Sequence, residues 1–224
     1  VTGYDLSKLV TGSFGTLVAL TEITLKVLPK KKSSNTIIIN TGNKKIVNEL
    51  FERTSSSSTE VSGAAYIPEE PIDENYDHNK EMVFKLNDLE NKGSFVALRI
   101  EGDKISIDEK IRTLKDELEL NKLNLTILDV YQSTLFWKKI NNLELFKQTK
   151  NNLLRAVIPP SKSEKLMHYL GSKYKYYIDW CGSLYWIEVQ SNKNNDVGKI
   201  KVLINELEGY LTIIKTSNEY DYEE

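Results

Sequence analysis

An α+β fold, in which one strand–helix–strand–strand–helix–strand plan is written twice, is what this sequence predicts. Three observations point there. The hydrophobic period alternates along the chain between two and about 3.6 residues. Runs rich in β-branched residues, such as residues 36–41 (TIIINT) and 94–101 (SFVALRIE), are bounded by turn residues. The order of these signals before Lys150 then returns, more cleanly, after it.

In the first half, residues 36–41 form a strand, and Ile46, Val47, Leu50 and Phe51 recur at helical spacing over residues 43–55. The serine run 55–58 closes that helix. Residues 61–67 return as a strand, and the Pro/Glu/Asp-rich stretch 68–79 is a loop. Residues 81–86 and 94–101 read as two strands joined through Asn91-Lys92-Gly93. Ile107, Ile111, Leu114 and Leu118 make one helix face, and residues 125–131 a further strand. A link over residues 132–150 carries a helix around Phe136 to Ile140.

The second half opens with a strand at residues 153–158. Ser161 then caps a helix, with Glu164 at the capping-box position and Leu166, Met167 and Leu170 on its face. Residues 176–179 and 184–189 form a hairpin around Trp180-Cys181-Gly182-Ser183. Val197, Ile200, Leu203 and Leu207 give a last helix before a strand at 210–215. Strands with helices on one face, in this order, describe a ferredoxin-like unit doubled into one antiparallel sheet. The sheet domain is expected over residues 31–217, with an acidic, aperiodic end at 218–224.

Composition narrows the function. At 40% hydrophobic residues the 224-residue chain has ample core material. Lys plus Arg number 30 against 32 Asp plus Glu, a net charge of -2, which gives no reason to expect nucleic acid as a partner. Lys30 to Lys32 read as a solvated turn. The single cysteine, Cys181, excludes an internal disulfide framework and suits a reducing compartment. No apolar run approaches the ~18 residues needed to span a bilayer. The expectation is a cytoplasmic protein without a transmembrane segment.

Several motif readings fail. Lys92-Gly93-Ser94-Phe95-Val96 brushes the aromatic RNA-binding signature, but Ser94, Ala97 and Leu98 supply no stacking rings. Asp73 to Asp77 imitate a calcium loop, yet His78 stands where glycine is needed and Phe84 where the bidentate glutamate belongs. His78, His168 and Cys181 lack zinc spacing, so no metal is expected. Cys181 reads as a turn residue rather than a nucleophile. Neither a GxSxG elbow nor a Walker loop occurs. No carboxylate pair stands out as acid and base, and no catalytic residue is singled out.

The remaining stretch is VTGYDLSKLVTGSFGTLVALTEITLKVLP, residues 1–29. Asp5 and Ser7 are placed to cap a short helical turn through Lys8 and Leu9. Gly12 and Gly15, among Thr11, Ser13 and Thr16, run into an expected strand at residues 17–27. From spacing alone this is either a tight turn before a strand or a nest of amides that receives an anion.

The residues themselves go further. Gly3-Tyr4-Asp5-Leu6-Ser7, Gly12-Ser13-Phe14-Gly15-Thr16-Leu17, Leu20-Thr21-Glu22 and Lys26-Val27-Leu28-Pro29 resemble the GYDL…GSxGTLGxLTExxLKVLP segment. That segment closes the FAD-binding domain in FAD-linked oxidases of the vanillyl-alcohol-oxidase type. Within that family the likeness is strongest to the FAD-binding E subunits of bacterial glycolate oxidases. It continues in scattered blocks: Arg99-Ile100-Glu101-Gly102, Leu154-Arg155 before Pro160-Ser161, and Ile178-Asp179-Trp180-x-Gly182-x-Leu184-x-Trp186.

The resemblance implies that residues 1–30 end an FAD-binding domain and that residues 31–217 are the cap over the flavin. It implies cofactor contacts from Gly12, Ser13, Gly15, Thr16, Leu20 and Thr21. It also implies oxidation of glycolate or a related 2-hydroxy acid through FAD, beside a second flavoprotein subunit and an iron–sulfur subunit. Such a complex would be cytoplasmic, or peripheral to the inner membrane through those partners. Arg99 and Arg155 are candidates for holding the substrate carboxylate, and equally ordinary surface arginines. Asp179, Trp180 and Trp186 read as hairpin and core residues.

Two departures stand out. Val18 replaces the family's glycine after Thr-Leu, and no tail motif returns to the FAD domain. With no initiating methionine, the expectation is a piece cut at both ends, unable to hold FAD alone. The alternative is a non-catalytic docking domain using the Tyr174 to Tyr177 run and the Trp137 segment as its interface. A more distant one is another FAD-linked enzyme of the same fold, such as a cell-wall sugar reductase.

Overall fold

Residues 5–27, 29, 31–69, 93–191 and 194–216 are described by the structure, a computed structural model. They fall into two units, Val1–Lys30 and Lys31–Glu224.

In the first unit a single helical turn, α1 (Leu6–Val10), is capped as its sequence suggests, the Asp5 carboxylate accepting from the Lys8 amide at 3.2 Å. Residues 17–27 are not the expected strand. A strand needs a neighbour for its amides and carbonyls, and none is ladder-bonded to this segment among the described residues. Its large apolar side chains, Leu17, Leu20, Ile23, Leu25 and Val27 among them, are exposed.

The second unit is an eight-stranded antiparallel sheet. Its first half runs β1 (Ser33–Asn40), α2 (Lys44–Ser55), β2 (Val61–Ile67), β3 (Phe95–Gly102), α3 (Lys104–Glu117) and β4 (Leu125–Leu128). The second runs β5 (Asn152–Val157), α5 (Ser163–Leu170), β6 (Lys175–Asp179), β7 (Leu184–Val189), α6 (Asn194–Glu206) and β8 (Tyr210–Lys215). Between the halves lies α4 (Val130–Asn141). The strand order is β4-β1-β3-β2-β6-β7-β5-β8, so the second strand of each half lies at the centre. The expected strand at 81–86 and the acidic end lie outside the described residues.

Each helix is built by its apolar spacing. Val47, Leu50 and Phe51 of α2, Ile107, Ile111 and Leu114 of α3, Leu166, Met167 and Leu170 of α5, and Ile200 and Ile204 of α6 are all buried. They form one continuous core on one face of the sheet with side chains such as Ile37, Leu98, Leu154 and Ile187. The other face is covered over the first half by α4, through Phe136, Trp137 and Ile140 against Ile38, Ala65 and Ala97. That two-sided cover explains why β1 is an unbroken run, Thr36 to Ile39 being buried throughout, rather than an alternating one.

Two expected boundaries shift. The strand at 125–131 stops at Leu128, because Asp129 and Gln132 form a reciprocal capping box that starts α4. The capping box expected at Ser161 and Glu164 does not form. Residues Pro160–Lys162 are a 3-10 turn, α5 starts at Ser163, and the Ser163 hydroxyl bonds Tyr185 Oη at 2.6 Å instead.

Polar groups inside the second core are paired. Trp137 Nε1 donates to Thr36 Oγ1 at 2.9 Å, the Thr36 and Ser133 hydroxyls share a bond of 2.7 Å, and Tyr177 Oη donates to the Ile140 carbonyl at 3.0 Å. The Trp137 ring leaves no room opposite it on β2. A Cβ on Gly63 would lie 3.0 Å from the ring and 3.3 Å from Arg99 Nε. Gly63→Ala is therefore expected to destabilise the protein by about 1–3 kcal/mol, as overpacking does, measured as a fall in the urea midpoint at unchanged slope.

Candidate functional site

The central strands β2 and β6 are joined through a single residue pair, Tyr66 with Ile178. Beyond it they part. On β2, Val61 faces Ile100 and Gly63 faces Arg99, so Ser62 is an inserted bulge residue. On the β6 side, the chain leaves Asp179 through Trp180, Cys181 and Gly182, all with left-handed backbone (φ 51°, 54° and 94°). Two successive non-glycine residues in that region are strained. The strands thus diverge around a cleft of about 560 Å³, within the roughly 300–1,000 Å³ range of small-molecule sites. The end of α2 at Thr54, the bulge at Ser62, Arg99, Trp137 and the Asp179-Trp180 turn all line it.

The bulge turns Ser62 onto Arg99. Arg99 Nε donates to Ser62 Oγ at 3.0 Å and its Nη2 to the Ser62 carbonyl at 2.9 Å. Glu101 lies 3.8 Å from Nε, and the guanidinium stands 4.9 Å from the Trp137 ring centre. Arg99 is thereby fixed and its charge is already met. Arg155 is different. It is half-buried, lies 5.3 Å from the Trp180 ring centre, and no carboxylate pairs with it among the described residues. Trp180 is 56% exposed and links the two places, lining the cleft and carrying Arg155.

Two carboxylates line the cleft, Glu60, which lies 3.8 Å from Lys110 Nζ, and the half-buried Asp179. Burial pushes the Asp179 pKa up, against the Trp180 amide that its Oδ1 accepts at 2.8 Å and the nearby charge of Arg99. Thr54 is 6% exposed, and its Oγ1 has no hydrogen-bond partner among the described residues. The Cys181 thiol donates to the Phe51 carbonyl and accepts from Ser55, each at 3.3 Å, and its pKa is raised by burial. It bonds to α2 rather than to His168 and is no thiolate nucleophile.

The glycine loop of the first unit is open. Gly12 and Gly15 have φ of 82° and 74°, and nothing stands within 4 Å of a Cβ built on either. The Ser13 and Thr16 amides bond to the carbonyls of Val10 and Ser13. Those of Phe14 and Gly15 carry no backbone acceptor among the described residues. An exposed pair of amides beside flexible glycines fits a phosphate oxygen of a dinucleotide. Leu20 and Thr21 are exposed beyond the turn, and Val18 is 45% exposed.

The interface suggested for a docking domain is overturned. Tyr174, Tyr176, Tyr177 and Trp137 are all buried, because their rings fill the two cores. Sequence reasoning had also missed Asp179, Thr54 and Ser62 as cleft residues. The only signal pointing there was Gly63 inside a strand, which marks a bulge or a close approach.

With this geometry in place, likeness to known proteins adds one finding. Part of this chain is similar to a glycolate oxidase subunit. The match is to subunit GlcE of Escherichia coli (strain K12), 59% identical over 34 residues, 15% of this chain. It spans 10% of that protein's length, so the link to its family is loose. No protein-family model matches the chain. Among the described residues, no helix is long and apolar enough to cross a membrane, and no cluster of three or more His, Cys, Asp or Glu is placed to hold a metal ion.

Asp179 supplies a direct test. Its folded pKa lies above the unfolded value, so the folded state holds the proton more tightly, and stability falls as pH rises through that window. Asp179→Asn keeps the acceptor for the Trp180 amide and removes the buried charge. Its thermal midpoint is expected above wild type at pH 7, with the gain shrinking as pH falls to about 4, near the unfolded value.

Proposed function

We propose that this chain is the C-terminal portion of the FAD-binding subunit of a glycolate oxidase-like enzyme. The observation that carries the reading is the 59% identity over 34 residues to a glycolate oxidase subunit. Two features of the structure support it. The first unit exposes its large apolar side chains, as the last segment of a larger domain does when described without it. The second is an α+β unit, an eight-stranded antiparallel sheet with helices packed on it, and an α+β sheet with helices is what the resemblance implies for a cap.

In this reading residues 1–30 belong to the FAD-binding domain, and Gly12, Ser13, Gly15 and Thr16 hold part of the cofactor through the open amides of their loop. Leu20 and Thr21 approach it beyond the turn. Bound there, FAD supplies the oxidation of the hydroxy acid's α-carbon. Of the two arginines, Arg155 holds the substrate carboxylate, because no carboxylate pairs with it among the described residues and it stands 5.3 Å from the Trp180 ring centre. Arg99 shapes the cleft instead. A second flavoprotein subunit and an iron–sulfur subunit complete a cytoplasmic complex.

The test is made on the natural polypeptide, isolated from its source cells through an antibody against this chain. A mass well above 25.7 kDa and visible flavin bands are expected. Replacing Gly12 or Gly15 by valine in that polypeptide should lower its flavin content, since φ near +80° strains any side chain there. A polypeptide of about the chain's own mass and without flavin would overturn the reading.

A further inference from the structure

The cleft at the β2–β6 junction is larger than a two-carbon acid requires, and its lining is not that of a bare carboxylate pocket. Its one guanidinium, Arg99, is already held by Ser62 and faced by Glu101 and Asp179. Glu60 is likewise met, by Lys110 at 3.8 Å, and what remains is a set of groups that read hydroxyls. Asp179 has a second carboxylate oxygen beyond the one used by Trp180, and Thr54 presents a buried hydroxyl without a partner. Asn141 and the serines around the bulge add amide and hydroxyl groups. Trp180 offers a half-exposed ring on which the C–H face of a sugar packs. Beside that ring, outside the cleft lining, stands Arg155, with which no carboxylate pairs among the described residues.

Hydroxyl groups both donate and accept, so a chain of them matches an acceptor carboxylate, a threonine hydroxyl and an amide without leaving a buried charge unpaired. We propose that the cleft recognises a polyhydroxylated carboxylic acid, a sugar acid, with its hydroxyls on Asp179 and Thr54 and its carboxylate on Arg155 across Trp180. The inference rests on the reading that this face of the sheet bears the substrate, and it names a substrate class larger than glycolate. The arrangement also explains why local strain at Trp180 and Cys181 and a half-buried carboxylate persist at one place.

The experiment titrates the 224-residue chain, shown folded by circular dichroism, with gluconate, its neutral analogue glucitol, and glycolate. Ligand-observed NMR gives the affinities. Gluconate is expected to bind about tenfold more tightly than either of the others, the worth of roughly one charge-assisted contact. Arg155→Gln should bring gluconate down to the level of glucitol. Asp179→Asn and Thr54→Val should weaken gluconate and glucitol alike and leave glycolate unchanged. Because Asp179→Asn is expected to stabilise the fold, lost binding in that variant is not unfolding. Glycolate binding as tightly as gluconate, gluconate binding insensitive to Asp179 and Thr54, or a folded chain that binds none of the three overturns the sugar-acid assignment. The oxidase reading stands or falls separately, on the flavin spectrum of the natural polypeptide.

Discussion

Two half-sheets have to become one, and the way β2 meets β6 governs both the core and the cleft of this molecule. At Tyr66 and Ile178 the strands pair, so the sheet is continuous and one core runs beneath both halves. The helices on that side reinforce the join. Lys44, at the start of α2, donates to the Met167 carbonyl of α5 at 3.0 Å, tying an element of each half together. A join made only of side chains would leave two rows of edge amides without partners, which buried backbone does not tolerate. The ladder nevertheless cannot continue. The bulge at Ser62 and the left-handed turn after Asp179 pull the strands apart on the far side of the pair. Continuity and opening are therefore two consequences of one short contact.

Several exceptions to local rules lie together where the strands part. A bulge residue, a glycine pressed against an indole ring, two strained non-glycine residues, a buried carboxylate and an unpartnered threonine hydroxyl lie around one cleft. Elsewhere the helices carry their apolar residues at the expected spacing, and polar groups such as Thr36, Ser133, Ser163 and Tyr185 find partners, while the buried Tyr174 and Tyr176 hydroxyls have none among the described residues and Glu119, Leu143 and Glu208 are single positive-φ residues. Sequences that are consistent across levels depart from consistency where something other than stability is selected. That contrast, rather than any single residue, marks the cleft.

How far the sequence alone revealed this depends on the range of each interaction. Helix faces and strands were legible because their signal repeats every few residues, whereas the cover that α4 gives the second face of the sheet was not, helices having been expected on one face. Boundaries were less so. Asp129 looks like any strand-end residue until Gln132 closes the box with it, and Ser161 looks like a cap until a proline-led 3-10 turn intervenes. The strand expected at residues 17–27 had the right side chains, but β structure is a property of pairs. The cleft was out of reach for the same reason on a larger scale. Asp179 and Trp180 sit in a local hairpin, and nothing nearby in sequence says that Ser62 and Thr54, from the other half of the chain, stand opposite them.

The helix α4 covers only part of one sheet face, and that separates the two arginines. Both project from the sheet face opposite the main helix layer, and their sequence contexts alone give no reason to rank them. Over the first half, α4 lays Trp137 across Arg99, and the bulge and Glu101 complete its shell. A guanidinium so enclosed serves to hold a bulge in place. Over the second half the described residues include no second such helix, and Arg155 keeps its charge beside a half-exposed tryptophan. An unmatched, half-buried cation on a fixed aromatic platform is costly unless an anion completes it. One helix thus gives a structural role to one arginine and leaves the other suited to a ligand.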